Sequence, residues 1–156
     1  MAKGNEIIVS SEPRGVFKEC IVSGTPKPGT VMQLQAGTVP IAGRFTYEVY
    51  NPAADGDPRL IAVLLADSLQ GKGPTDAYVS GTRGFLYVPL PGEELNMLVA
   101  DIAGTGDIHT IGDRLMAQHG TGKLVVQSTS ANNATFQCLE TVAALTADAL
   151  LWCMRV

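Results

Sequence analysis

The feature that most constrains this chain is the recurrence of short apolar or alternating runs, each of strand length and each closed by Gly, Pro or Asp. Runs this short and this often interrupted cannot sustain the 3.6-residue periodicity of a helix face, whereas strands need only a few residues between turns. Val31-Met32-Gln33-Leu34 and the alternating Phe45 to Tyr50 read as strands, and the stretch Asn51 to Asp57 reads as a turn. Leu60 to Ala66 is continuously apolar, and its length and its exit through Gly71, Gly73 and Pro74 favour a buried strand over a buried helix. Arg83 to Pro89 alternates around Phe85 and Tyr87, and Pro91-Gly92 turns it into Leu95 to Val99, which predicts a hairpin-like pair. Leu115 to Gln118 and Lys123 to Gln127 flank His119-Gly120-Thr121-Gly122, a loop of the length hairpins use. Thr135 to Val142 and Leu150 to Val156 read as the last two strands; the alternative is a helix over Thr141 to Leu151, with Val142, Leu145 and Ala149 near one face. The fold class is all-β, a small β-sandwich or barrel-like domain, and no convincing internal repeat stands out.

The first thirty residues read differently from the rest. Pro13, Gly15, Gly24, Pro26, Pro28 and Gly29 break short apolar pieces, so residues 1–30 are expected to form an extended N-terminal arm and residues 31–156 the β-rich body. The arm is close to neutral, with four bases and three acids, while the body carries seven bases and twelve acids. Ile7, Ile8, Val9, Val16, Phe17, Ile21 and Val22 are the candidate partner-binding residues, since pieces so short gain stability by laying their backbone on an existing sheet edge. The alternative is that the segment supplies the first strand pair of the domain's own sheet.

Composition narrows the function. The balance of 11 Lys and Arg against 15 Asp and Glu gives a net charge of −4, which argues against a nucleic-acid partner. Charged residues make up only 17% of the chain, against about 25% in ordinary domains, and the resulting neutral surface predicts a homo-oligomer. The opening residues lack the apolar run of a signal peptide or membrane span, so a cytosol-like compartment and no membrane partner are expected. Cys20, Cys138 and Cys153 are widely spaced without a C-x-x-C pair and read as reduced, mostly buried thiols.

No motif carries chemistry strongly enough to predict an enzyme. Gly71-Lys72 and Gly122-Lys123 are followed by Gly73 and Leu124 where a phosphate loop needs Ser or Thr, and both read as turns. Gly104-x-Gly106 lacks the third glycine of a dinucleotide fingerprint, since His109 stands there. Ser80 and Ser130 lie outside a G-x-S-x-G elbow. Asp101, Asp107, His109, Asp113 and His119 could converge into a metal or acid–base site, but their spacing matches no ligand motif and suits turn chemistry better. Catalytic residues, cofactors and metals are accordingly expected to be none.

Several stretches resemble a known family. Leu64 to Lys72, Thr75 to Tyr78 and Val88 to Asn96, then Ile111 to Asp113, Gly120 to Leu124, Leu139 to Thr141 and Leu150 to Cys153, are similar to bacteriophage capsid decoration (cement) proteins. The resemblance covers residues 60 to 156 and rests on turn and strand words rather than on chemistry. It implies a small β-rich virion protein, commonly trimeric, made in the host cytoplasm and placed on the outside of an icosahedral head, where it staples neighbouring major capsid proteins. Two other classes stay open. Gly73 to Tyr78 resembles the pyrimidine-binding hairpin of trimeric all-β nucleotide hydrolases of the dUTPase kind, although the tail Leu151 to Val156 lacks their Gly-rich, Arg-containing clamp. A carbohydrate-binding β-module of a virion would carry more aromatic surface than one Trp and four Tyr.

Overall fold

The computed structural model describes residues 7–10, 12–51, 61–100, 107–127, 134–145 and 147–156. The described residues form an all-β fold of twelve strands and a single 3-10 turn at Ser68–Gln70. In chain order the strands are β1 (Val16–Val22), β2 (Val31–Leu34), β3 (Thr46–Val49), β4 (Ala62–Leu64), β5 (Arg83–Val88), β6 (Glu94–Val99), β7 (Asp107–His109), β8 (Arg114–Ala117), β9 (Leu124–Val126), β10 (Phe136–Cys138), β11 (Val142–Leu145) and β12 (Ala149–Arg155). They close into two five-stranded barrels, β1-β3-β2-β4-β5 and β10-β12-β6-β9-β8, with β7 and β11 as a separate two-stranded ribbon. The stretch from Thr141 to Leu151 is strand, not helix, in all its described residues that carry regular structure.

The barrels are copies of one topology. Taken in chain order, β1, β2, β3, β4 and β5 correspond to β6, β8, β9, β10 and β12, and every pairing matches in direction: β1–β3 and β6–β9 are parallel and all the others antiparallel. The register matches too. Val22 faces Tyr47 as Val99 faces Leu124. Met32 lies between Val49 and Ala62 as Leu115 lies between Val126 and Phe136. Leu64 faces Leu86 as Cys138 faces Cys153. Hydrogen bonds outside the strands repeat as well, Gly29 N to Leu64 O at 2.8 Å and Gly112 N to Cys138 O at 2.9 Å among them. The duplication escapes a reading by residue identity because few residues coincide, among them Val22/Val99, Gly29/Gly112, Gln35/Gln118, Gly37/Gly120, Thr38/Thr121 and Val49/Val126.

Alternation puts one side chain in two into each barrel. Cys20, Val22, Met32, Tyr47, Ala62, Leu64 and Leu86 fill the first, and the matching positions Met97, Val99, Leu115, Leu124, Phe136, Cys138 and Cys153 fill the second. A large Tyr47 beside a small Ala62 is answered by a smaller Leu124 beside a large Phe136, so similar volumes are filled by different residues. The outward residues Val31, Tyr50, Ile61, Val63 and Tyr87 of the first barrel join the core of the second, which makes one continuous apolar seam. β2 is therefore buried on both faces at Val31 and Met32.

Two expectations need correction. The hairpin-like pair over Arg83 to Val99 does not form: β5 closes the first barrel and β6 belongs to the second, so Pro91-Gly92 is the joint between barrels. The boundary at residue 30 also fails. Within the supposed arm, Val16–Val22 is a seven-residue strand bonded to β3 on one side and β5 on the other. Ile8 bridges Leu95, and Asn96 N donates to Ile7 O at 2.7 Å, which lays the preceding residues along β6. Pro13 and Gly15 exclude a helix there but not a strand, because a strand is stabilised by partners distant in sequence. Gly15 in fact permits the docking, since a Cβ there would stand 2.2 Å from Val88 O.

Candidate interaction surface

Among the described residues, the polar residues picked out from the sequence are each used locally or stand apart. Asp101 and the side chain of Asp107 lie outside the described residues, as do Ser130, Gly104, Gly106 and the turn residues 52–57. Asp113 is used locally, accepting from Thr110 N at 2.8 Å and from Thr110 Oγ1 at 3.0 Å. His109 is buried on β7, and His119 is exposed on the β8–β9 loop. Ser80 Oγ accepts from Gly24 N at 3.0 Å, Gly71 caps the 3-10 turn, and Lys123 is paired with Asp148 at 2.5 Å. Among the described residues no group of three His, Cys, Asp or Glu is arranged to hold a metal. A cleft of about 470 Å³ opens at the seam, but hydroxyls, Lys27, Glu48 and the Lys123–Asp148 pair line it, with no histidine or cysteine.

The informative geometry is how one barrel holds the other. The tip of the β8–β9 loop, His119 to Gly122, lies on the exit of β3 and the start of β2. Gly120 N donates to Tyr50 O at 3.1 Å, and Val31 N donates to Gly122 O at 2.8 Å. Gly122 has φ +64°, and a Cβ there would stand 2.3 Å from Val31 O, so the contact requires glycine.

The corresponding loop of the first barrel starts the same way and ends differently. Ala36-Gly37-Thr38 matches His119-Gly120-Thr121, with Gly37 at φ +74° and Gly120 at +75°. The first-barrel loop then inserts Val39 to Arg44, folded back by an Ile41–Arg44 bridge. Val39 is 80% exposed, Ile41 56%, and Leu34 and Phe45 at the strand ends about half. Four large apolar side chains are thus exposed on one loop and its flanks, and grouped exposed apolar residues are what marks an interaction site. Its rim is basic: Glu19 sits between Arg44 at 2.6 Å and Arg83 at 3.0 Å, and Lys18 stands exposed beside it. The hydrogen bond from Arg44, with the charges of Arg44 and Arg83, holds the Glu19 carboxyl below its ordinary value.

The surface that receives a loop also differs between the halves. Val31, Tyr50, Ile61 and Val63 are apolar in the first barrel; their counterparts in the second are Arg114, Gln127, Thr135 and Gln137. The first-barrel loop of another copy would thus meet a filled site on barrel one and a polar one on barrel two.

Of the seven partner-binding residues expected from the sequence, Ile7, Ile21 and Val22 are buried in the chain's own cores, and Ile8 and Val9 are tied to β6. Only Val16 and Phe17 remain exposed, Phe17 with its ring 4.9 Å from that of Tyr87. The exposed apolar residues that sequence reasoning missed are Leu34, Val39 and Ile41; Phe45, with Tyr47, reads from the sequence as core or subunit interface. A signal for Val39 and Ile41 was available, since they are apolar residues between Gly37 and Gly43, where a turn is normally polar. No protein-family model and no curated protein matches the chain.

Proposed function

We propose that this chain is a structural protein of a phage head, decorating the outer shell and stapling neighbouring major capsid proteins. The observation that carries the reading is the first-barrel loop. In the second barrel the same loop is a docking device whose site lies within the chain; in the first it is longer, apolar and turned outward, with its mode of self-docking blocked. A loop so built suits a different protein, and its Lys18, Arg44 and Arg83 rim suits one whose apolar patch is bordered by carboxylates. That the partner is a major capsid protein and that the copies are arranged in threes is the part of the proposal that rests on the resemblance of residues 60 to 156 to decoration proteins alone.

The test uses phage heads stripped of their decoration protein. The chain should co-sediment with them to a saturating number of copies and raise their resistance to heat, and it should leave dUTP intact. A folded protein that does not associate with such shells, or one that hydrolyses dUTP, overturns the reading.

A further inference from the structure

A pair of thiols lies face to face inside the second barrel. Cys138 on β10 and Cys153 on β12 are directly opposite in register, and both are wholly buried. Leu139 N donates to Trp152 O at 2.8 Å, which makes Cys138–Cys153 a non-hydrogen-bonded antiparallel pair. In such pairs the Cα atoms are about 4.5 Å apart and the side chains closest, within the roughly 4.4–6.8 Å that a disulfide spans. Each thiol donates to a backbone carbonyl two residues away, Cys138 Sγ to Glu140 O at 3.1 Å and Cys153 Sγ to Leu151 O at 3.4 Å. The first barrel has Leu64 opposite Leu86 at the same place, so the fold itself does not require thiols there.

We propose that Cys138 and Cys153 are a disulfide-forming pair that a peroxide oxidant closes, locking β10 to β12. The Cys138 thiolate attacks one oxygen of hydrogen peroxide, the O–O bond breaks, and a sulfenic acid and hydroxide result. The Cys153 sulfur then attacks the sulfenic sulfur, its proton leaves with the departing oxygen as water, and the S–S bond forms. Two thiols are oxidised and one peroxide is reduced to two waters. Cys138 is the attacking group because the neighbouring Cys153 thiol holds its own down at about 7, while the same interaction and burial push Cys153 well up. Peroxide is little larger than water and enters through local opening of the three-residue β10. Cys20 lies in the other barrel, with burial pushing its thiol up to about 12, and takes no part. The inference is independent of the capsid reading.

The experiment treats the folded full-length protein with a small excess of hydrogen peroxide, then alkylates free thiols and digests with trypsin. Residues 124–155 form one tryptic peptide carrying both cysteines, with no Lys or Arg inside it before Arg155. That peptide should lose about 2 Da and resist alkylation until reduced. Cys20 should still alkylate once the chain is unfolded. The melting temperature should rise by about 5–10 °C, reversibly with reductant, as expected for a loop of this length. Cys153→Ala should abolish the linkage; the wild-type mass decides the matter even if that variant folds poorly. Both thiols remaining alkylatable, oxygen addition without linkage, or linkage only after unfolding would overturn the proposal.

Discussion

Replacing Gly122 with alanine tests whether the β8–β9 loop holds the barrels together. At φ +64° an L-residue is strained, by about 1–2 kcal/mol. The new Cβ would also stand 2.3 Å from Val31 O and 2.7 Å from Thr30 Cγ2, distances that atoms do not tolerate. The loop must therefore lift, losing the Val31 N–Gly122 O bond and weakening Gly120 N–Tyr50 O, at about 0.5–1.5 kcal/mol each. Overlap that is not relieved adds about 1–3 kcal/mol. The total expected loss is at least about 3 kcal/mol and up to about 8 if both bonds are lost and the overlap persists, read by urea unfolding through the fluorescence of the single Trp152. Gly120→Ala is the internal control: φ is +75°, but the nearest atom to its Cβ would be Asn51 Oδ1 at 3.8 Å, so only the conformational cost of about 1–2 kcal/mol should appear. Equal losses for the two variants would refute the docking argument, since backbone strain would then explain both.

Glu93 is nearly buried at the joint between barrels, accepting from Tyr87 Oη at 2.7 Å, Leu90 N at 2.7 Å and the backbone of Arg14 and Gly15. Burial pushes its carboxyl up, but these bonds outweigh it and the net shift is downward from 4.5. A depressed folded value means the contribution is present above 4.5 and disappears as pH falls through the lower folded value, so Glu93→Gln should flatten the acid limb of a stability–pH curve. Tyr87→Phe should cost about 1.5–3 kcal/mol at neutral pH by removing a bond to a charged group, measured by thermal melting. The double change Val39→Asp, Ile41→Asp should alter stability by no more than about 0.5 kcal/mol, being exposed, yet abolish co-sedimentation with stripped heads. Deleting residues 1–22 should leave the first barrel unable to close, seen as lost strand signal in circular dichroism, whereas an arm would be dispensable.

Individual strands were legible where the signal is local. β2 begins and ends where the run Val31 to Leu34 does, and the β8–β9 hairpin is announced by its Gly-containing loop. What was not legible is which strands meet. Arg83 to Val99 has the look of a hairpin, yet each of its strands finds partners elsewhere, β5 with β1 and β4 and β6 with β9 and β12. Val16 to Val22 looks incapable of its own core because its core, Cys20 and Val22 against Met32, Leu64 and Leu86, comes from residues far along the chain. The duplication survives in backbone geometry, which glycines at Gly29 and Gly112 preserve, while the interiors have exchanged large for small residues. The candidate interaction surface was hidden for a related reason: Val39 and Ile41 are apolar where a turn is normally polar, but that their loop is the lengthened counterpart of a docking loop shows only once the two barrels are compared.

The chemical difference between the two receiving surfaces bears on assembly. A loop on one unit fitting a site on the next is a head-to-tail contact, and such contacts run on into filaments unless they close into a ring. Two fused copies of one barrel would ordinarily keep a free loop at one end and a vacant site at the other. Here Arg114, Gln127, Thr135 and Gln137 replace the apolar site at the vacant end, so charged and polar groups would have to be stripped of water to add a third unit. The series is closed at two from both sides, by these polar residues at the receiving site and by Val39 to Arg44, which lengthen the free loop, so restoring Val, Tyr, Ile and Val at those four positions would not by itself start a filament.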